Sequence, residues 1–132
     1  MELTIKNLQK KVPIPRAKII RAVKLTVKKV RLPVKGLSIN FVGYARMCRL
    51  NRKYLKHDGV TDILTFNLGT SADIIICPTV AATNACRFKT SISHELVLYV
   101  IHGLLHLAGF NDHTPAQIKS MRAQEQRLMV LL

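Results

Sequence analysis

The segment VIHGLLHLAGFNDHTP, residues 100–115, holds His102, His106, Asp112 and His113 within twelve positions of an otherwise apolar run. Imidazole nitrogen and carboxylate oxygen are both zinc donors. On a helix, residues four apart share a face, about 5–6 Å between Cβ atoms. His102 and His106 can therefore reach one Zn2+ at about 2.0–2.1 Å each, with a third ligand arriving from beyond the helix end. Three protein ligands leave a fourth position for water, whose pKa the metal lowers to about 7, producing a nucleophile for a carbonyl or phosphoryl centre. One histidine in an apolar helix would read as a hydrogen-bonded core residue. A pair at i and i+4, closed by Gly109 and followed by Asp112 and His113, is not explained by packing. Gly103 stands where H-E-x-x-H enzymes carry their general-base glutamate, which disfavours a protease. His94 and Glu95, about two turns upstream, read as surface residues or outer support for the site.

The elements that must position these groups follow from period and punctuation. SISHELVLYVIHGLLHLAG is apolar nearly all round, the pattern of an interior helix, with Ser91 or Ser93 as its cap and Gly109 at its end. TPAQ (114–117) combines a Thr cap, a Pro for the first turn and a Gln at the capping-box position. Ile118, Met121, Glu125 and Leu128 follow at helical spacing, all apolar except Glu125. Upstream, PIPRAKIIRAVKLTVKKVRL spaces Ile19, Ile20, Val23, Val27 and Val30 as an amphipathic helix, YARMCRLNRKYL reads as a shorter one, and PTVAATNACRF is helix-compatible. LTIKNLQ (3–9), GLSINFVG (36–43), TDILTFNL (61–68) and DIIICP (73–78) read as strands. The last is apolar throughout and belongs inside the sheet. The predicted order β-α-β-α-β-β-α-α-α makes a single small α+β domain over residues 1–132. It combines a mixed sheet of about four strands, packed against helices, with a zinc site at the end of a buried helix.

Charge divides the chain. Residues 1–56 carry 16 basic side chains against one acidic, for +15, whereas residues 57–132 carry 5 against 6. A polycation beside a neutral half points to a polyanionic partner, most simply nucleic acid, although an anionic membrane surface attracts Lys and Arg by the same electrostatics and a solvated basic face is the plainer alternative. Cys48, Cys77 and Cys86 show no paired spacing, so neither a disulfide nor a Cys-rich zinc module is expected, and reduced packing residues are. The opening MELTIKNLQKK lacks the apolar core of a signal peptide, and no run is long enough to span a bilayer. A cytoplasmic protein without a membrane partner is expected.

HGLLHLAGF followed by DH resembles the zinc motif of the YbeY family, bacterial endoribonucleases implicated in ribosomal RNA maturation and ribosome quality control. LNRKYLKHDGVTDILTFNL is similar to that family's middle motif of Leu-Asn, a Tyr, then Thr-Asp and a strand ending in Phe, and ADIIICP is similar to its next strand. The resemblance covers about residues 37–130, with LTIKNLQ a weaker match. It implies a small α+β fold holding one Zn2+, a basic cleft for RNA, and metal-assisted phosphodiester hydrolysis, with ribosomal RNA precursors and ribosomal subunits as partners. Thr61, Asp62 and Thr65 match the middle motif; Asp beside a strand also serves locally as a backbone acceptor. Two departures stand out. An Arg directly after the Tyr is usual in the family and Leu55 occupies that place, leaving Arg52, Lys53 or Lys56 as nearby cations. The third zinc ligand implied is a His ten positions after the first, and position ten after His102 is not a His. The ligand is Asp112 in an ungapped register set by Gly109, or His113 if one residue is inserted after Phe110.

The expected function is a zinc-dependent endoribonuclease acting on single-stranded RNA. His102, His106 and Asp112 or His113 hold the metal, Asp62 and Arg52 are the candidate catalytic side chains, and Arg46, Arg49, Arg52, Lys53 and Lys56 bind phosphate. With no Trp and only 4 Phe and 3 Tyr, shape and charge should dominate over base stacking. A non-catalytic zinc-containing ribosome or RNA-binding factor, and a metal-dependent hydrolase of another phosphorylated substrate, are the alternatives.

Overall fold

A computed structural model describes residues 1–55 and 61–132. The chain forms β1 (Glu2–Asn7), α1 (Arg16–Val30), β2 (Gly36–Phe41), α2 (Tyr44–Leu55), β3 (Ile63–Asn67), β4 (Ser71–Ile76), α3 (Pro78–Phe88), α4 (Ile92–Leu107) and α5 (Pro115–Val130). This is the predicted order of elements. Lys56 lies outside the described residues.

The strands form one mixed sheet in the order β1-β2-β4-β3, with β1, β2 and β4 parallel and β3 antiparallel to β4. The apolar strand β4 is interior, as its composition predicts. Strand alternation sends side chains to opposite faces. Ile63, Thr65 and Ile74 point toward α4, while Leu64, Phe66 and Ile75 gather with Met47 and Leu50 of α2 on the other face. The main core joins Ile19 and Val23 of α1, Ile39 and Phe41 of β2, and Leu96, Val100, Ile101, Leu104 and Leu105 of α4 with Met121 and Leu128 of α5. Helix α4 is thus surrounded by protein, which accounts for its nearly continuous apolar sequence.

Gly103 permits the closest approach of α4 to the sheet. A Cβ at this position would stand 2.8 Å from Ile63 Cδ1, 3.1 Å from Thr65 Cγ2 and 3.2 Å from Ile74 Cδ1. The helix rests on β3 and β4 at a depth that leaves no room for a side chain. The turn carrying His102 is held against the edge strand as a result.

The helix starts are specified locally. Ser91, not Ser93, caps α4: its Oγ accepts the His94 backbone N–H at 3.0 Å. Thr114 caps α5 by accepting the Gln117 N–H at 3.1 Å, and the Gln117 side chain accepts the Thr114 N–H at 3.1 Å, completing the capping box. All three cysteines are free; Cys77 is buried and Cys48 half-buried, but Cys86 is exposed, so the packing role expected of them does not extend to Cys86. No helix among the described residues is long and apolar enough to cross a membrane.

Candidate metal centre

His102 and His106 occupy the last two turns of α4, one helical turn apart, with ring centroids 4.5 Å from each other. Helix α4 then ends at Ala108, and Gly109 at φ +103° turns the chain back in a conformation that side-chain-bearing residues rarely adopt. Asp112 returns against the two rings. Its Oδ2 lies 3.5 Å from His102 Nε2 and 3.4 Å from His106 Nε2, and the two Nε2 atoms are 2.9 Å apart. Donors bound at about 2.0–2.2 Å around a tetrahedral ion stand about 3.3–3.5 Å from one another. The two distances to Asp112 match that edge length and the His–His distance is a few tenths shorter. These three donors form a group able to hold a metal ion.

Glu125 of α5 completes the arrangement from behind. Its Oε2 lies 2.6 Å from His102 Nδ1, and the carboxylate accepts there, so the ring proton sits on Nδ1 and the Nε2 lone pair faces His106 and Asp112. The sequence shows Glu125 only as the polar exception in the apolar row of α5. An acidic residue in a stripe aimed at the core was the available signal that it served a buried partner. Glu125→Gln is expected to weaken zinc binding about 10–100-fold, measured by competition with a chromophoric chelator, since outer carboxylates orient metal-bound imidazoles. An unchanged affinity would show that the contact does not orient the ring.

In the metal-free protein, burial opposes charging of His102. The hydrogen bond and charge of Glu125, together with the charges of Asp112 and Asp62, outweigh it and raise the imidazole pKa above 6.5. A group whose pKa rises on folding contributes stability that is complete below 6.5 and is lost as pH climbs through the folded value. Melting temperatures of metal-free Glu125→Gln should therefore vary less with pH in that window than those of the unsubstituted chain.

The remaining sequence candidates are distributed around this group. His113 is exposed, its backbone N–H is donated to Gln117 Oε1 at 3.1 Å, and it is not part of the three-donor group. Asp62 is half-buried and its backbone carbonyl accepts the Cys77 N–H at 3.1 Å. Its negative charge reaches both His102 and Tyr99. Burial, with Asp62, Glu95 and Cys77 adding to it against the hydrogen bond from Asn84, pushes the Tyr99 hydroxyl up to about 12, so it stays neutral. Glu95 is 4% exposed and belongs to the interior beside Tyr99, whereas its neighbour His94 is largely exposed. Of the two readings offered for this pair, the surface one fails for Glu95.

Arg46, Arg49, Arg52 and Lys53 are exposed on α2. Arg46 and Arg49 line a groove of about 530 Å³ with Lys10, Lys11 and Tyr44, where the end of β1 meets the start of α2. Leu55 is 47% exposed and supplies no cation. The crevice beside the three donors, about 240 Å³, is lined by His102, Asp112, Ile118, Met121, Arg122 and Glu125. Arg52 is not among its described lining residues. Arg122 was missed by sequence reasoning, which looked for cations in the basic half.

The sequence profile of a family described as Endoribonuclease YbeY matches residues 4–132. Among similar proteins, an endoribonuclease YbeY of Chlorobium luteolum is 33% identical over 129 residues, covering 95% of this chain and 93% of the relative. One of Parabacteroides distasonis is 37% identical over 100 residues, covering 73% of this chain and 70% of its own. The solution structure of TM1509 from Thermotoga maritima superposes with a TM-score of 0.66 at 24% identity, over 96% of this chain and 86% of that one, and shares the fold. A profile match over nearly the whole chain, with relatives of this similarity, shows that the chain belongs to the endoribonuclease YbeY family.

Proposed function

We propose that this protein is a zinc-dependent endoribonuclease that hydrolyses phosphodiester bonds in single-stranded regions of ribosomal RNA precursors, in the cytoplasm and in association with ribosomal subunits. The observation that carries the reading is the convergence of two imidazole nitrogens and one carboxylate oxygen, all within 4.8 Å of one another, at the end of α4. His102, His106 and Asp112 are the residues that would hold one Zn2+, with Asp112 rather than His113 as the third ligand. Zinc at such a site supplies Lewis acidity, polarising a phosphoryl oxygen and lowering the pKa of water to about 7.

The chain's own groups then divide the work. Glu125 keeps the His102 proton on Nδ1. Asp62 is assigned the proton-accepting carboxylate for the attacking water, supported by the reach of its charge to His102. Arg46, Arg49, Arg52 and Lys53 bind backbone phosphates along α2, supported by their exposure and by the basic groove at Lys10 and Lys11. Arg52 is further proposed to steady the phosphate at the reacting bond, since Leu55 brings no charge there.

The test is cleavage of a single-stranded RNA by zinc-loaded protein beside a His102→Ala/His106→Ala control. The control is expected to hold no zinc and to cleave only at background. Equal rates from both proteins, or no cleavage by the unsubstituted one, would sink the nuclease reading. Zinc binding and RNA binding without turnover would instead favour a non-catalytic RNA-binding factor.

A further inference from the structure

We infer that Arg122 and Lys119 of α5 form a phosphate-binding track that leads an RNA strand into the metal crevice. The inference rests on the nuclease reading above and adds a binding surface in the half of the sequence that is neutral overall. Two carboxylates, Asp112 and Glu125, stand at the imidazole donors. A phosphodiester approaching them needs a compensating cation beside the metal, and among the described residues that line the crevice Arg122 is the cation.

Its placement follows from helix geometry. Ile118, Arg122 and Glu125 are spaced i, i+4 and i+7 on α5 and share the face that meets His102. The Glu125 carboxylate is already engaged by His102 Nδ1 at 2.6 Å, and no ion pair joins Arg122 to a described carboxylate. The guanidinium is therefore uncommitted, and its planar fork suits two phosphate oxygens at once.

The crevice does not end at Arg122. The same side chain lines a shallow groove of about 530 Å³ running along α5 past Pro115, Ile118, Lys119, Ala123 and Gln126. Lys119 lies one turn before Arg122 on that groove. Two of the five basic residues in positions 57–132 thus stand together on this groove, and one of them, Arg122, also lines the crevice beside the donors. Arg127, about 140° around the helix from Arg122 at 100° per residue, lines neither cavity. A charge distribution serving only solubility has no reason to favour the face that opens on the metal donors.

The experiment compares Arg122→Gln, Arg122→Lys, Lys119→Gln and Arg127→Gln with the unsubstituted protein. Binding of a labelled single-stranded oligoribonucleotide is followed by anisotropy over a salt series, and zinc content, melting temperature, kcat and KM are recorded. Arg122→Gln is expected to weaken binding about 5–10-fold and to reduce the slope of log affinity against log salt by about one, with zinc content and melting unchanged. Its kcat/KM should fall about 10–100-fold, with partial recovery in Arg122→Lys, because the cation is retained but the two-point contact is lost. Lys119→Gln should weaken binding about 2–5-fold with little change in kcat, and Arg127→Gln should match the unsubstituted protein. Arg122→Gln and Arg127→Gln behaving alike in binding and salt slope would overturn the track. The binding arm is independent of turnover, so a protein that cleaves no RNA would fail the nuclease reading while this comparison still decides the track.

Discussion

Gly103→Glu is expected to leave no folded metal-binding protein, although it writes H-E-x-x-H into α4. Any Cβ at 103 meets Ile63 Cδ1 at 2.8 Å with Thr65 and Ile74 close behind. The rest of a glutamate would have to enter the interface between α4 and β3. Overpacking of a core costs about 1–3 kcal/mol, and burying an unpaired carboxylate adds several kcal/mol or forces its protonation. Small domains are stable by only about 5–15 kcal/mol, so the sum removes most of the margin. Gly103→Ala should be milder: the contacted atom is the end of the Ile63 side chain, which can rotate, and alanine gains about 1 kcal/mol of helix propensity. Circular dichroism melting with zinc stoichiometry checks both variants. A Gly103→Glu protein that melts within a few degrees of the unsubstituted one and holds one zinc would show that α4 can lift from the sheet, contrary to the packing argument.

Asp112→Ala and His113→Ala, adjacent in sequence, are expected to differ widely in zinc affinity. Asp112 Oδ2 lies 3.4–3.5 Å from both imidazole Nε2 atoms, so its loss removes a donor from the group. Removing partners outside the ligand shell of a metal site costs about 10–100-fold in affinity. Losing one of three ligands should cost more than that range. His113→Ala should leave affinity within about threefold, because the exposed ring takes no part in the group and its backbone remains tied to Gln117. A chelator competition on the two variants decides between them. The reverse order of effects would mean that the turn after Gly109 rearranges when metal binds and that His113 is the ligand.

An aspartate ligand at this position would also change the chemistry. Relative to three histidines it would lower the net charge of a loaded site by one and donate more electron density, weakening the acidification of bound water. A compensating cation would matter more in such a site, and Arg122 lines the crevice beside the three donors.

The features of this protein that depend on local interactions were legible from the sequence alone. The order of the nine elements among the described residues, the interior place of β4, the capping box at Thr114 and Gln117, and the His102–His106 pair follow from period, caps and i,i+4 spacing. Each is set by residues a few positions apart. The quoted motifs likewise sufficed to suggest the family to which the chain belongs.

Tertiary structure decided what local spacing leaves open. Asp112 and His113 are equally near His106 in sequence. The positive φ of Gly109 and the capping box that holds the His113 backbone determine which of them turns inward. Glu125 lies 23 residues from His102, and only the packing of α5 on α4 converts a polar interruption in an apolar row into the carboxylate that meets the His102 ring. Glu95 reads from its type as a surface residue and is buried because α4 is enclosed on nearly all sides. Arg122 belongs to a half with no excess of positive charge, and only the crevice it shares with His102 and Asp112 shows it beside the chemistry. Hydrophobic period and caps act within one element, whereas contacts between α4, α5 and the turn joining them form only once the whole core has closed.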